Sequence, residues 1–270
     1  MPIHLVQITD GAARRVALVE EPNLRCLACV WSVYELAQKC LERSHPMARQ
    51  ARVLAPGEVL SCDEIYAGRS SWRRHSPIDA PNEPSRTLVA GTGLTHLGSA
   101  RQRQSMHLAD EQAESPRAEV LTDSMRMFKW GVEQGRPPEG AIGVAPEWVY
   151  KGDGFSVRAY LEPLDIPSHT EDGGEVAELA GVYIVAADGS PWRIGIAHGK
   201  EFSDHKFEKR NHLNLAGSKL RTSGLGPELV PDPPFADVSG EVGIERAGAI
   251  FWNKQIASGE QKYVPHPCQP

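Results

Sequence analysis

Three carboxylates and two lysines stand where they would suit chemistry on an enolisable acid. Glu175 and Glu178 lie at the start of a predicted strand that continues as Leu179-Ala-Gly-Val-Tyr-Ile-Val185. Glu201 follows the next predicted strand, in Gly199-Lys-Glu-Phe-Ser-Asp204. Carboxylates at the ends of paired strands can converge on one hard cation such as Mg²⁺, which takes oxygen ligands and keeps several waters. Lys151 and Lys219 would supply fixed positive charge for a substrate carboxylate or an enolate oxygen. The plainer reading is that such strand-end groups are solvated, because Asp and Glu are rarely buried unless paired.

These groups need elements to position them. Residues 4–8 and 15–19 read as strands. Ser32 and Glu35 form a capping box, and Val33, Leu36, Ala37, Cys40 and Leu41 follow at helical spacing, with Pro46 just past the end. Residues 73–85, rich in Pro, Asp and Asn, read as a linker. A short strand over 87–90 leads into Gly91-Thr-Gly-Leu-Thr-His-Leu-Gly98, and the polar stretch 100–120 reads as a lid. A second helix is predicted over 122–134, with Met125, Phe128 and Val132 inward and Gly135 as its stop. From about residue 145 the pattern is β-rich. Strands over 177–186 and 192–197 join at Ala187-Asp-Gly-Ser190, and strands over 242–246 and 249–252 join at Ala247-Gly248. The class is α+β and β-dominated: a small N-terminal α+β domain over 1–85, a larger domain over 86–260, and a tail over 261–270 without periodicity.

Composition excludes several functions. The 270 residues suffice for a hydrophobic core without staples. With 29 Lys plus Arg against 35 Asp plus Glu, the net charge of −6 disfavours a phosphate-backbone binder, so no nucleic-acid partner is expected. No apolar run approaches a bilayer span, so no membrane partner is expected either. The start lacks the form of a signal peptide. Five cysteines at irregular spacing suit reduced thiols and a cytoplasmic protein. Cys26-Leu-Ala-Cys29 has no second ligand pair and reads as packing cysteines.

Longer blocks carry a family resemblance. Gly91-Thr-Gly-Leu-Thr-His-Leu-Gly-Ser-Ala100, Leu121-Thr-Asp-Ser-Met-Arg-Met-Phe128, Pro146-Glu-Trp-Val-Tyr-Lys-Gly-Asp-Gly154, Asp172-Gly-Gly-Glu175, Glu201-Phe-Ser-Asp-His205, Ser218-Lys-Leu-Arg221 and Gly226-Pro-Glu-Leu229 occur in an order that resembles the fumarylacetoacetate hydrolase superfamily. More narrowly, they resemble its branch of 2-keto-3-deoxy-sugar-acid dehydratases, of the L-arabinonate type. The resemblance implies a fumarylacetoacetase-like β-roll and an Mg²⁺ (or Mn²⁺) site. It places metal ligands at Glu178 and Glu201. The first Glu of the family pair falls on Val176; residues 176 and 178 share a strand face and 175 points the other way, so Glu175 substitutes for it only where a bulge or a strand start turns it inward. Lys151 resembles the lysine that contacts the keto acid, and Lys219 a later substrate-binding lysine. Thr95, His96 and Ser99 lie in the loop that covers the substrate, where His96 reads either as an acid/base group or as a hydrogen-bonded loop histidine.

The implied activity is an Mg-dependent lyase that dehydrates a 2-keto-3-deoxy pentonate through an enolate to a 2,5-dioxo acid. Its partner is a small-molecule 2-keto acid, and its assembly a homodimer. The lack of a His near Ser99 favours lyase over hydrolase chemistry. The alternatives are a carbon–carbon bond hydrolase acting on a diketo acid, or a truncated, inactive member. Val176, the cation Lys200 beside Glu201, and an end soon after Glu260 are the departures from the family pattern.

Overall fold

A computed structural model of the chain describes residues 2–92, 104–105, 121–135, 137–144, 148–219, 221–231 and 238–258. The fold starts from a strand with little use for water. In β1 (Leu5–Thr9) the first four residues are buried, and both faces of the strand are covered. It pairs antiparallel with β2 (Arg14–Glu20), which pairs with β3 (Asn23–Cys26), which in turn pairs with β4 (Val59–Ser61). The other edge of β1 is taken by β5 (Arg73–Arg74) near its end and by β11 (Ser223–Pro231) near its start, with Leu5 opposite Leu229. Beyond β11 lie β10 (Pro191–Ser203) and β9 (Gly174–Val185), and the two-residue β8 (Val157–Arg158) runs parallel to β11. The result is a nine-stranded, almost wholly antiparallel sheet.

The chain divides into two compact units. One comprises Met1–Val89, Lys151–Ser203 and Lys219–Pro233; the other comprises Ala90–Tyr150, Asp204–Ser218 and Pro234–Pro270. Residues 1–85 lie in the first unit together with the strands that carry Glu178 and Glu201, because β1 shares its edge with β11.

Two apolar clusters cover the sheet of the first unit. Helices α1 (Val33–Arg43) and α2 (Met47–Val53) set Val33, Leu36, Ala37, Cys40, Met47 and Ala51 among Leu5, Val16, Leu18, Val182, Ile184, Ile194 and Leu229. Helix α3 (Cys62–Tyr66) brings Cys62 and Ile65 to Val6, Ile8, Ala17, Leu24 and Cys26. The Ser32 hydroxyl caps α1 by accepting from Glu35 N at 3.1 Å. The Glu35 carboxylate reaches back one residue further than a capping box requires, to Trp31 N at 3.0 Å.

Residues 73–85 are more than a linker. The Arg74 guanidinium is buried over the rings of Tyr66 and Tyr160. Buried Gln7 accepts from Val33 N at 2.7 Å, one of the orphan donors of α1, and donates to Ser76 O at 2.6 Å and to Asp79 Oδ1 at 2.8 Å. Asp79 also receives both terminal nitrogens of Arg14, at 2.8 and 2.6 Å. Burial pushes the Asp79 carboxyl up, but the hydrogen bonds from Arg14 and Gln7 outweigh it and hold the group below its ordinary range. On β11, Glu228 accepts from the Tyr66 hydroxyl and pairs with the His4 ring, each at 2.6 Å, so α3 is anchored to the same joint. Beside it Gly226 sits at φ +107°, where a Cβ would lie 2.8 Å from Pro77 Cδ.

In the second unit, the Thr122 hydroxyl caps α4 (Asp123–Gln134) by accepting from Met125 N at 3.3 Å. Met125 and Phe128 are buried with Leu121, whereas Val132, expected inward, is 59% exposed. That cluster packs on the first half of the helix, and among the described residues the last turn has no apolar neighbour in it. The hairpin of β12 (Val238–Arg246) and β13 (Ala249–Ser258) turns at Ala247 and Gly248, both with positive φ, the two-residue geometry that matches strand twist. Two short strands, β6 (Leu88–Thr92) and β7 (Trp148–Asp153), pair with each other. Apart from residues 104–105, the 100–120 stretch lies outside the described residues, as does the 261–270 tail.

Two outcomes follow. Asp79→Asn should lower stability in urea unfolding at neutral pH by about 1–3 kcal/mol, the usual cost of stranding buried donors. Because the folded pKa is depressed, the wild-type contribution is present above the ordinary value of 3.8 and is lost as pH falls through the lower folded value. Gly226→Ala should destabilise by about 1–3 kcal/mol in the same assay, because both its φ and Pro77 oppose a side chain.

Candidate active site

Register decides which side chains meet. The pairing of β9 with β10 runs without interruption from Gly174 opposite Ser203 to Val182 opposite Gly195. In an antiparallel pair, directly opposed residues share a face and neighbours along a strand alternate. Val176 stands opposite Glu201 and Glu178 opposite Gly199, so Val176, Glu178, Gly199 and Glu201 occupy one face. Glu175 stands opposite Phe202, and Lys200 opposite Ala177, on the other face.

Glu201 is only 6% exposed, and it is not alone. β7 carries Lys151, 5% exposed, whose ammonium contacts Glu201 Oε2. Lys219 follows the short helix Leu215–Ser218 and donates to Glu201 Oε1 at 2.6 Å and to Ser203 Oγ at 2.8 Å. Fully buried Ser203 lies two residues beyond Glu201 on the same face, and its hydroxyl stands 3.4 Å from Glu201 Oε1. Both carboxylate oxygens of Glu201 are therefore engaged by ammonium groups.

These charges set one another. Burial, and after it the Lys219 ammonium, lowers Lys151 to about 8; Glu178 opposes that shift. Glu178 is exposed as a residue. Even so, desolvation of its carboxyl raises its pKa above the ordinary value, and Lys219 and Lys151 pull the other way. One face thus gathers two carboxylates and two lysines with no excess of negative charge.

The expected ligand set is only partly assembled. Glu178 and Glu201 share a face, but Glu175 does not join them. No bulge interrupts the ladder at its position, and it pairs with Lys200 instead. For the same reason Lys200, the neighbour of Glu201 in sequence, does not point at it. Val176 offers no oxygen at the third position. Among the described residues no three His, Cys, Asp or Glu side chains are grouped to hold a metal ion. The donor set among the described residues, two carboxylates with one of them held by two lysines, does not fit a divalent cation.

Thr95, His96 and Ser99 lie outside the described residues. Ser203 went unremarked in the sequence; its signal was the period-two spacing from Glu201. The two cysteines of the CxxC differ: Cys26 is buried, and Cys29 is exposed at φ 58°. Among the described residues no helix is long and apolar enough to cross a membrane.

No family model and no curated protein matches the sequence. Solved structures do. A 2-keto-3-deoxyarabinonate dehydratase is similar over 97% of this chain and 79% of its own, at 16% identity and a TM-score of 0.64. A 2-keto-3-deoxy-D-arabinonate dehydratase complexed with magnesium and 2,5-dioxopentanoate is similar over 97% and 78%, at 14% identity and a TM-score of 0.62. A fumarylacetoacetate hydrolase from Exiguobacterium antarcticum is similar over 94% and 75%, at 11% identity and a TM-score of 0.50. The β-dominated chain has the fold of these enzymes.

Glu201→Gln should destabilise the protein by about 3–5 kcal/mol, because it strands the buried Lys151 ammonium. Lys200→Ala should change stability by less than about 1 kcal/mol, as expected for a partly exposed pair with Glu175. Urea unfolding of both variants checks the assignment of the two faces.

Proposed function

We propose that the chain is an enzyme of the fumarylacetoacetate hydrolase superfamily, in the dehydratase branch, and that it removes water from a 2-keto-3-deoxy sugar acid of the pentonate class. The observation that carries this reading is the buried Glu201 held between Lys151 and Lys219, on a fold shared with enzymes of that reaction. The arrangement of blocks from the glycine loop at Gly91 to Gly226-Pro-Glu-Leu229 supports the same branch.

In this reading Lys151 and Lys219 receive the substrate carboxylate and 2-oxo oxygen. Their charge favours the enolate that forms when a C3 proton leaves. Glu178 takes that proton: it lies on the Glu201 face, and its raised pKa makes it a better base than an ordinary carboxylate. The C4–O bond then breaks as the electron pair returns from the enolate. His96, read from the sequence as an acid/base group, protonates the departing hydroxyl as water. Tautomerisation of the enone gives the 2,5-dioxo acid. No step uses Mg²⁺ or Mn²⁺, because the donor set does not fit one. A homodimer and a cytoplasmic setting belong to the same reading.

The test is turnover of 2-keto-3-deoxypentonates, followed as the 2,5-dioxo product. Lys219→Met should lower kcat/KM by about 100-fold or more, the effect of removing one transition-state charge partner. Cleavage of a diketo acid instead would favour the hydrolase alternative, and silence on both substrates an inactive member. The pH profile of kcat/KM should be bell-shaped. Activity should fall in acid as Glu178 is protonated, at a pH above the ordinary carboxylate value of 4.5. It should fall in alkali no earlier than about 8, as Lys151 loses its proton.

A further inference from the structure

The face that bears Glu178 and Glu201 raises a question about charge. A divalent cation at paired strand ends needs oxygen donors with unused lone pairs and a surplus of negative charge. The second condition is not met here, and at Glu201 the first is met only in part. Glu201 has one oxygen on Lys151 and the other on Lys219, and Lys219 is held further by Ser203. The third position on that face is Val176, opposite Glu201. Glu175 is on the far face with Lys200. The formal charges of Glu178 and Glu201 are matched by those of Lys151 and Lys219.

We infer that in this chain the ammonium groups of Lys151 and Lys219 hold the place of a divalent cation at the Glu178–Glu201 face, so that the site takes no Mg²⁺ or Mn²⁺. The substitution is built into the fold. Lys151 and Glu201 are both buried, so a metal that took over Glu201 would strand the buried Lys151 ammonium. Val176 removes the donor that a cation would need in compensation. The positive charge that would polarise a bound anion comes instead from nitrogen, and its supply does not depend on metal concentration.

The experiment reads metal and not turnover, so failure of the dehydratase reading would leave this inference standing. The full chain is stripped with chelator, freed of it, and titrated with Mn²⁺, with free Mn²⁺ followed by electron paramagnetic resonance. Wild type should bind no stoichiometric Mn²⁺ below the millimolar range. Lys219→Met frees one oxygen of Glu201 and should tighten Mn²⁺ by about tenfold or more, the scale on which groups adjoining a metal site act. Val176→Glu restores a third oxygen on the same partly exposed face and should do likewise. It carries the test if Lys219→Met does not fold. One-to-one micromolar binding by the wild type would overturn the inference, as would the absence of any gain in the folded variants.

Discussion

A carboxylate taken out of water must find positive charge, and the face around Glu201 is organised by that requirement. Glu201 lies near the end of β10, the longest strand among the described residues, which is paired with β9 on one edge and β11 on the other. Its side chain is buried, so two lysines from elsewhere in the chain must reach it: Lys151 from β7 and Lys219 from the turn before β11. Breaking either contact would leave charge in a setting where solvent cannot screen it.

The sheet holds that cluster in register. β11 is tied to β1, and β1 is tied through Gln7 to the first turn of α1 and to Asp79. Glu228 adds His4 and Tyr66 to the same joint. The N-terminal strands therefore brace the strands that carry Glu178 and Glu201. Gly226 shows how tight the joint is, because its backbone conformation and the approach of Pro77 leave no room for a side chain.

Much of the local structure was legible in the sequence. The cap at Ser32, the stop at Gly135 and the turn at Ala247-Gly248 are short-range signals, and each element appeared where its signal lay. The face of a strand residue was equally legible: Val176 and Glu178 share a side and Glu175 does not, as strict alternation requires. What failed were inferences that needed a neighbour. Val132 has the right period for an inward residue but no apolar neighbour in its cluster. Residues 73–85 have the composition of a linker, yet they anchor Gln7 and Arg14 through hydrogen bonds that composition does not record.

By itself the sequence determined the β-dominated α+β class, the helix and hairpin ends, and the residue types of the site. These depend on propensity and periodicity within a few residues along the chain. Only the tertiary structure decided that Lys151 and Lys219 converge on one carboxylate, that Lys200 and Glu175 pair on the opposite face, and that the first strands share a sheet with the last strands of their unit. Each of these depends on strand order and register between segments far apart in sequence. Charge at the site is set by which side chains meet after folding, and spacing along the chain does not contain that information.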